Sequence, residues 1–528
     1  MSGSEGLSLA ELVRELPAAA GATLVAGTST NTDAVRVRGV HHDSRRVSPG
    51  DLFVARRGAS SDGVAFVPKA RERGAVAIMV EGAALPDDVS GGLPQIVVAD
   101  VRVALAFAAA AVYGHPAFSL DIVGITGTNG KTTTSHLVRS AIDAAEGRVA
   151  TGLIGTIGHS YGDYVVAAAH TTPESDEMAR VLAEMRSRGA THAVMEVSSI
   201  ALVLGRVEAV RFRVAAFTNL TQDHLDFHGT MEAYGEAKAR LFTALGPGVA
   251  VINVDDPFGR ALVPRCNAPV VRTSAQVGAP AADAEIAPVR ASLTRRALEA
   301  VFRTPVGEVT VSSRLIGRHN LENLAVALGI AHALELDLVG AAAGLSANTG
   351  VPGRLERCDE AADDVTVLVD YAHTPDALAR ALEASRSGVD EGARLIVVFG
   401  CGGDRDPLKR GPMGAAAASG ADLVFVTSDN PRTEAPEAIA APVTDAVRAA
   451  GVPEVGANQL GVARRGFAVM LDRAQAIRAA IAAAAPGDLV LIAGKGHEDY
   501  QIIGTEKRPF DDRAVSRAAL VERRASRS

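Results

Sequence analysis

The chain has 528 residues and a formal net charge of −8; 48 % of its residues are hydrophobic and 22 % are charged. This length predicts several domains, and the composition is typical of a soluble globular protein and excludes a disordered one. No basic block is present, which argues against a nucleic-acid partner. Three scattered cysteines (Cys266, Cys358 and Cys401) indicate reduced thiols and no disulfide framework. No apolar stretch is long enough to span a bilayer and the N-terminus lacks a basic leader, so we expect a cytoplasmic protein without membrane insertion.

The first predicted domain, residues 1–118, alternates short apolar strands with alanine-rich helices. An amphipathic helix is expected near the N-terminus. Strand-like runs occupy residues 51–55, 76–80 and 95–100, and a helix is predicted from residue 101. This pattern indicates an α/β domain.

The second predicted domain, residues 119–350, contains three strand-like runs that end in acids, serines or asparagine. They are residues 192–199, 214–220 and 248–256. Open α/β sheets bind their ligands at this edge. Residues 280–318 predict a small antiparallel addition that turns at residues 304–307, and a helix is expected at residues 319–334.

The third predicted domain, residues 351–528, contains four buried strands separated by helical segments. The strand-like runs are residues 365–372, 394–403, 422–429 and 488–496. Alternation of this kind predicts a doubly wound, Rossmann-like parallel sheet. The fold class is therefore α/β, with three domains in series.

Residues 124–135, "GITGTNGKTTTS", form a glycine-rich loop between a short apolar strand and a helix. Such a loop presents backbone N–H groups and a helix N-terminus to one anion, which indicates phosphate binding. Lys131 adds a positive charge, and the Thr132 hydroxyl can bind Mg²⁺. Ile125 stands where the strict P-loop pattern has its first glycine, and a flexible loop with a chance lysine is the plainer alternative. The loop alone also leaves open a switch or motor ATPase.

Two further segments add polar groups. Glu196 ends a strand-like run, where it can bind Mg²⁺ or be a solvated acid. His224 and His228 lie among acids but lack the pattern of a zinc site. By spacing alone Lys238 is a solvated lysine on a helix.

Motifs distributed over nearly the whole chain resemble those of the Mur ligase family. In chain order they are "GTNGKTT", "HTTPE", "EVSS", "TNLTQDHLDFHG", "EAK", "GRHNLEN", "VPGR", "VDYAHTPD", "GCGGDRD", "DNPR" and "GKGHEDYQ". Within the family they most resemble the ligases that add meso-diaminopimelate to UDP-MurNAc-L-Ala-D-Glu. The resemblance implies a UDP-muramoyl-binding domain at residues 1–118, an ATP-binding domain at residues 119–350 and an amino-acid-binding domain at residues 351–528.

The resemblance also implies a reaction. An acyl phosphate formed with ATP is attacked by the amine, giving amide, ADP and phosphate. The expected cofactor is Mg²⁺, and the expected partners are small molecules only: ATP, the UDP-muramoyl-dipeptide and meso-diaminopimelate. We expect a monomer that acts in peptidoglycan synthesis, cell-wall biogenesis, and thereby cell shape, division and the cell cycle. L-Lysine is the alternative amino acid.

The residue roles that the resemblance implies fall into five groups. The catalytic residues are Lys131, Glu196, His224 and Lys238. ATP would be bound by Gly127, Thr128, Asn129, Gly130, Lys131, Thr132, Thr133, Asn320, Arg354 and Asp370, with His373 as a further candidate. The UDP-muramoyl-dipeptide would be bound by Ser44, Ala59, Ser60, Ser61, Thr171, Thr172, Ser198 and Arg206. Diaminopimelate would be bound by Arg405, Asp429, Asn430, Pro431, Arg432, Gly494 and Glu498. The metal ligands would be Thr132, Glu196, His224 and Lys238, the last as N6-carboxylysine, a carbamate.

Arg432 is the residue that would select the amino acid. Meso-diaminopimelate ends in a carboxylate and an ammonium group, and an arginine can bind the carboxylate through two parallel hydrogen bonds. Glu498 can accept from the ammonium group. L-Lysine lacks that carboxylate, so the same arginine disfavours it. The alternative is that "DNPR" is only a turn with an exposed arginine.

Overall fold

The computed structural model describes residues 6–28, 31–58, 62–278, 283–294, 297–315, 317–386, 388–389 and 391–527, without the side chains of Asp226 and Ala457. The chain divides into two compact units. One comprises Met1–Ala287 with Ala325–Gly344, and the other comprises Pro288–Leu324 with Leu345–Ser528. Within them the structure contains the three α/β domains expected from the sequence, each with its own sheet. The boundaries at 118/119 and 350/351 stay predictions.

The N-terminal domain has a mostly parallel sheet. In the described residues its order is β2-β7-β6-β5-β4, and only β2 runs antiparallel to its neighbour. The predicted strands and both predicted helices are confirmed. Asp100 caps the longest helix by accepting from the backbone N–H groups of the first turn. The elements are β1 (Leu7–Ser8), α1 (Leu9–Glu15), β2 (Thr23–Val25), β3 (Arg36–Val37), β4 (Gly39–His41), β5 (Asp51–Ala55), α2 (Val67–Glu72), β6 (Ala77–Glu81), α3 (Asp87–Ser90), β7 (Gln95–Val98) and α4 (Val101–Val112).

The central sheet has the order β11-β10-β9-β12-β8-β13-β14-β15 in the described part of the chain. Its strands are parallel except at the β9-β10-β11 edge. The elements are β8 (Asp121–Thr126), α5 (Lys131–Ala145), β9 (Thr151–Gly155), β10 (Gly158–Tyr161), β11 (Tyr164–Val166), α6 (Ser175–Ser187), β12 (His192–Glu196), α7 (Ser199–Val203), β13 (Phe212–Phe217), α8 (Leu225–His228), α9 (Met231–Thr243), β14 (Val249–Asn253), α10 (Pro257–Leu262) and β15 (Val270–Thr273).

The predicted antiparallel addition is confirmed as a separate sheet. It contains β16 (Ala287–Leu293), β17 (Leu298–Thr304) and β18 (Gly307–Ser313), and β17 pairs antiparallel with β18 across the predicted turn. The predicted helix follows as α11 (His319–Ala333), and α12 (Leu338–Ala347) comes next.

The C-terminal sheet has the order β19-β20-β24-β21-β22-β23 in the described residues, parallel except for β19. Successive residues of β20 join different cores: Val367 and Val369 pack on one face and Leu368 packs on the other. Since side chains alternate along a strand, both faces are covered, as a doubly wound fold requires. The elements are β19 (Glu356–Arg357), β20 (Thr366–Asp370), α13 (Pro375–Arg386), β21 (Leu395–Phe399), α14 (Arg410–Gly420), β22 (Leu423–Val426), α15 (Pro436–Ala449), β23 (Gly466–Val469), α16 (Arg473–Ala483), β24 (Leu489–Ala493), β25 (Tyr500–Ile503), β26 (Glu506–Pro509) and α17 (Asp512–Arg527).

Candidate active site

The glycine-rich loop joins β8 to α5, as the sequence predicted. Gly127 and Gly130 both have positive φ angles, of 150° and 84°. Gly130 is the N-cap of α5, and since glycine has no side chain it leaves the N–H groups of the first turn to another acceptor. Lys131 folds back and its Nζ donates to the carbonyl oxygens of Gly127 (2.8 Å) and Thr128 (2.9 Å). A strand, a glycine-rich loop and a helix N-terminus in this order are typical of phosphate-binding loops, and the binding of ATP here stays a prediction. Thr133 lies in the first turn of α5.

The segment after β13 holds this loop in place. The Asn129 N–H donates to the Asn219 side chain (2.9 Å), and the Thr218 hydroxyl donates to the Asn129 carbonyl (2.6 Å). The Thr128 hydroxyl donates to the Thr221 carbonyl (3.0 Å). The motif "TNLT" was noted in the sequence, but its role in fixing the loop could not be read there.

Thr132 and Glu196, the predicted Mg²⁺ ligands, are in direct contact. The Thr132 hydroxyl donates to Glu196 Oε2 at 2.8 Å, and the Glu196 side chain is 1 % exposed. Thr156, which the sequence did not single out, donates to the same carboxylate through its N–H (2.8 Å) and its hydroxyl (3.2 Å). Paired hydroxyl and carboxylate oxygens are the donors that Mg²⁺ prefers, so these two residues fit that ion.

Lys238 is buried on α9 and only 1 % exposed, so the alternative of a solvated lysine is wrong. Its Nζ donates to the Gly127 carbonyl (2.9 Å) and lies 4.3 Å from the centre of the Tyr234 ring. Burial, together with the charge of Lys131, holds the pKa of Lys238 well below its usual value. Because its pKa is lowered, more of the Lys238 side chain is present as the neutral amine, which is the form that reacts with CO₂.

His224 also contacts Tyr234. Its side chain is exposed, its φ is 51°, and its ring meets the Tyr234 ring edge-on at 6.3 Å between centres. Its Nε2 is 3.5 Å from an oxygen of Asp223. In the described residues no group of three or more histidines, cysteines and acids could hold a metal. An ion at either predicted position would therefore need ligands from substrate or water, as Mg²⁺ commonly does.

The predicted dipeptide-binding residues also come together, next to Glu196. The Thr172 hydroxyl donates to the Glu196 carbonyl (2.8 Å) and accepts from the Ser198 N–H (3.0 Å). Arg206 donates to the Thr172 carbonyl at 3.0 Å. The hydroxyl groups of Thr171 and Thr156 are 3.1 Å apart, which links this cluster to the same carboxylate.

The N-terminal domain contacts this cluster through Glu174. One carboxylate oxygen of Glu174 is 2.7 Å from Arg206, and the other accepts from Arg56 of the N-terminal domain at 2.7 Å. His42 of the same domain contacts both carboxylate oxygens of Asp176, at 3.0 and 2.9 Å. Among the predicted uridine contacts, Ser44 is buried and comes two residues after His42 in the sequence. Ala59, Ser60 and Ser61 lie outside the described residues.

In the second unit, Arg354 and Asp370 are neighbours. Asp370 ends β20 and accepts from the Leu355 N–H at 2.7 Å, and burial raises the pKa of its carboxyl group. The Arg354 guanidinium lies 5.2 Å from the centre of the Tyr371 ring. Asn320 is buried in the first turn of α11 and accepts from Asn323 at 2.9 Å. The His373 ring nitrogen contacts the Tyr371 carbonyl at 2.9 Å.

The predicted amino-acid pocket lies at the carboxyl ends of β21, β22 and β24. Arg432 has a φ of 53°, and its guanidinium donates to the Gly403 carbonyl at 2.8 Å. Its backbone pairs with the β25-β26 hairpin through Ile502 (3.1 Å) and Gly504 (2.7 Å). The Asn430 amide donates to Glu498 at 3.3 Å. A side chain on Gly402 would approach both Arg432 (3.1 Å) and Arg405 (3.9 Å), and one on Gly494 would lie 3.9 Å from Asp429.

A phosphate loop at the edge of a parallel sheet, in a chain with two further α/β domains, is the architecture of a multidomain P-loop enzyme. Sequence models of one family match three stretches of the chain: "Mur ligase family, catalytic domain" at residues 36–113, "Mur ligase middle domain" at residues 125–331 and "Mur ligase, glutamate ligase domain" at residues 353–496.

Curated relatives match over nearly the full length. A UDP-N-acetylmuramoyl-L-alanyl-D-glutamate--2,6-diaminopimelate ligase of Geobacter metallireducens is 45 % identical over 503 residues, which cover 93 % of this chain and 95 % of the relative. One of the same name from Streptomyces coelicolor is 45 % identical over 500 residues, covering 94 % of each. A solved structure of that name has a TM-score of 0.67 at 32 % identity and covers 95 % of this chain and 100 % of its own. The chain belongs to the Mur ligase family.

No helix among the described residues is both long and apolar enough to cross a membrane.

Proposed function

We propose that this ligase joins meso-diaminopimelate to UDP-MurNAc-L-Ala-D-Glu at the expense of ATP, in the synthesis of peptidoglycan precursors. The observation that carries the proposal is the contact of the phosphate loop with the dipeptide cluster through Glu196. In the C-terminal domain, Arg432 donates to the Gly403 carbonyl and Asn430 donates to Glu498. The near full-length relatives of that name support the same substrates.

The phosphate loop and Lys131 would bind the ATP phosphates and lessen their repulsion of the acceptor carboxylate. Phosphoryl transfer turns a poor electrophile into an acyl phosphate, and the amine then displaces phosphate. Thr172, Ser198 and Arg206 would orient the acceptor peptide. Positioning supplies most of the acceleration, since no side-chain nucleophile is required.

Thr132 and Glu196 would hold Mg²⁺, which neutralises phosphate charge when bound. We propose that Lys238 carries a carbamate, because its amine is buried and its pKa is lowered. The carbamate would remove the positive charge of Lys238 from the vicinity of Lys131 and would supply oxygen ligands for a second ion. His224 would be another ligand of that ion. The ATP-binding roles that the family resemblance implies for Asn320, Arg354 and Asp370 stay predictions.

The test of the reaction is phosphate release under four conditions: with neither, either or both of the nucleotide-peptide and meso-diaminopimelate. Ligation predicts rapid release only with both. Steady hydrolysis without them would favour a switch or motor ATPase. Oxygen-18 in the acceptor carboxylate should reach the released phosphate, because the acyl phosphate passes one acceptor oxygen to it.

Arg432→Ala tests the choice of amino acid. Losing a charged hydrogen-bond pair costs about 1.5–3 kcal/mol, so kcat/KM for meso-diaminopimelate should fall about 10- to 150-fold. kcat/KM for L-lysine should fall less, so the ratio of kcat/KM for meso-diaminopimelate to kcat/KM for L-lysine should decrease. Arg508→Ala is the matched control, since Arg508 is exposed and pairs with Glu506 on the nearby hairpin. An equal loss with both amino acids would contradict the assigned role of Arg432.

A further inference from the structure

Lys495 is a buried cation of the C-terminal domain to which no role has yet been assigned. It follows β24, and its side chain is 0 % exposed. Its Nζ donates to Asn430 Oδ1 (3.0 Å) and to the Tyr500 carbonyl (2.8 Å), and it forms an ion pair with Asp429 Oδ1 at 3.2 Å. Buried charges persist where they are partnered in this way.

These contacts fix the direction of the Asn430 amide. Its Oδ1 accepts from Lys495 and also from the Ile502 N–H at 2.9 Å. Both of these groups only donate, so the amide oxygen must face them and the NH₂ group must point away. There its Nδ2 donates to Glu498 Oε2 at 3.3 Å.

The same geometry sets the position of the Glu498 carboxylate. The Lys495 ammonium group is 3.8 Å from Glu498 Oε2, beyond hydrogen-bond distance, because its nearer partners are Asn430, Tyr500 and Asp429. Lys495 therefore supports Glu498 electrostatically and through Asn430 without covering it.

We propose that Lys495 is a positioning residue of the amino-acid pocket, which orients Asn430 and thereby holds Glu498 to receive the distal ammonium group of the diamino acid. This inference rests on the proposed function, in which Glu498 binds that ammonium group. It adds a residue behind the pocket that does not touch the substrate.

The charges around Glu498 give this role a pH signature. Burial raises the pKa of Glu498, Asp429 raises it further, and Lys495 and Arg432 oppose the rise. Removing the positive charge of Lys495 therefore raises the pKa of Glu498 further. The pocket needs the ionised carboxylate, so kcat/KM for the diamino acid falls as the pH drops through this pKa, and the acid limb should move to higher pH. Asn430 donates to Glu498, and the titratable groups that interact with it electrostatically are Tyr371, Asp429, Arg432, Arg473, Lys495 and Tyr500.

The experiment compares Lys495→Met with Lys507→Met in the full-length enzyme. Lys507 is an exposed lysine whose Nζ lies 3.7 Å from the centre of the Tyr500 ring, so it is a matched control. Lys495→Met should raise KM for meso-diaminopimelate at least about tenfold, which corresponds to ~1.4 kcal/mol. KM for ATP and for the nucleotide-peptide should change by less than about twofold, which corresponds to much less than ~1.4 kcal/mol. The acid limb should shift upward in Lys495→Met only.

If Lys495→Met does not fold, as loss of ATP binding would show, Lys495→Gln replaces it. Glutamine keeps a donor for Asn430 and removes the charge, so the acid limb should still shift. An unchanged acid limb and KM in a folded variant would overturn the inference, while amino-acid-dependent phosphate release would still stand. Absence of that release in the wild-type enzyme would instead overturn the proposed function.

Discussion

Gly127 is a crowded backbone position of the phosphate loop. Its φ is 150°, and a Cβ atom there would lie 1.9 Å from Thr218 Oγ1 and 3.0 Å from the Asn219 N–H nitrogen. Both neighbours hold the loop, so neither can move without releasing it. Its carbonyl oxygen also accepts from Lys131 and Lys238, which ties both lysines to this one peptide unit.

Gly127→Ala should therefore impair ATP use more than a backbone penalty alone would. Gly147→Ala is the control: it has a φ of 65° just after α5, with no atom within 4 Å of an added Cβ among the described residues. A left-handed alanine costs roughly 1–2 kcal/mol of stability at either site. We expect Gly127→Ala alone to raise KM for ATP or lower kcat at least about tenfold. Similar kinetics in the two variants would contradict this reading.

At the residue scale, the sequence indicated which side chains could take part in the reaction better than it indicated how buried they are and what they contact. The phosphate loop was recognisable because its glycines, lysine and threonine are contiguous. The burial of Lys238 was not, because its partner Gly127 is 111 residues away. The role of Thr156 was not predictable either, since a lone threonine after a strand carries no pattern. Its backbone N–H nevertheless contacts Glu196 at 2.8 Å, the same distance as the Thr132 hydroxyl.

Helices α16 and α17 are joined by two ion pairs of opposite character. Arg473 and Asp512 are fully buried, and the guanidinium makes two 2.7 Å contacts with the carboxylate. Arg473 also donates to the Ala493 carbonyl at 3.0 Å, at the end of β24. Arg478 pairs with Glu522 on the same two helices, but both side chains are exposed.

Breaking the buried pair should destabilise the C-terminal domain, because it leaves an uncompensated charge. Arg473→Met should lower its stability by about 3–5 kcal/mol. Arg478→Met should change it by less than about 1 kcal/mol, as is usual for exposed pairs. Urea titration monitored by hydrogen exchange in α16 and α17 measures both. Equal shifts in the two variants would show that burial does not set the cost.

At the element scale, long apolar runs were predictable and short ones were not. The four strand-like runs of the third domain are confirmed as β20, β21, β22 and β24. The sequence did not predict β23, whose four residues begin with glycine, or the β25-β26 hairpin, whose first strand is half-buried and whose second strand is exposed. β23 depends on pairing with β22, about 40 residues earlier in the chain, and the hairpin strands lack the alternation of buried apolar residues that periodicity detects.

On the scale of the molecule, Glu174 joins the N-terminal domain to the central domain. Burial would raise the pKa of its carboxyl group, but Arg56 and Arg206 lower it overall. A carboxyl group with a lowered pKa stabilises the folded state above its ordinary pKa, and this contribution is lost as the pH falls through the lowered value. The contact between these domains should therefore weaken in acid.

Glu174→Gln should weaken the binding of the nucleotide-peptide, since it removes the charge between Arg56 and the dipeptide cluster. A cost of about 1–2 kcal/mol would raise its KM by a factor of roughly 5–30, with KM for ATP little changed. Glu177→Gln is the control. Glu177 lies in the first turn of α6, which Glu174 precedes as the N-cap, and it contacts a more exposed arginine, Arg46, at 3.2 Å. A rise in KM for ATP of the same size would contradict a role specific to this domain contact.

The three α/β domains and the order of their sheets along the chain followed from the alternation of strands and helices. The contact between the N-terminal and central domains did not, because residues such as His42 and Asp176 are 134 positions apart. Nothing in their local sequence marks them as partners.

The hairpin beside Arg432 bears on any attempt to transfer the proposed amino-acid-binding residues to another protein. The arginine has a left-handed backbone, and its N–H and carbonyl groups are both engaged by residues 502–504. Introducing "DNPR" alone into another ligase would transfer the arginine without the β25-β26 hairpin that fixes its backbone conformation. A chimera that changes its amino acid preference must also exchange residues 500–509.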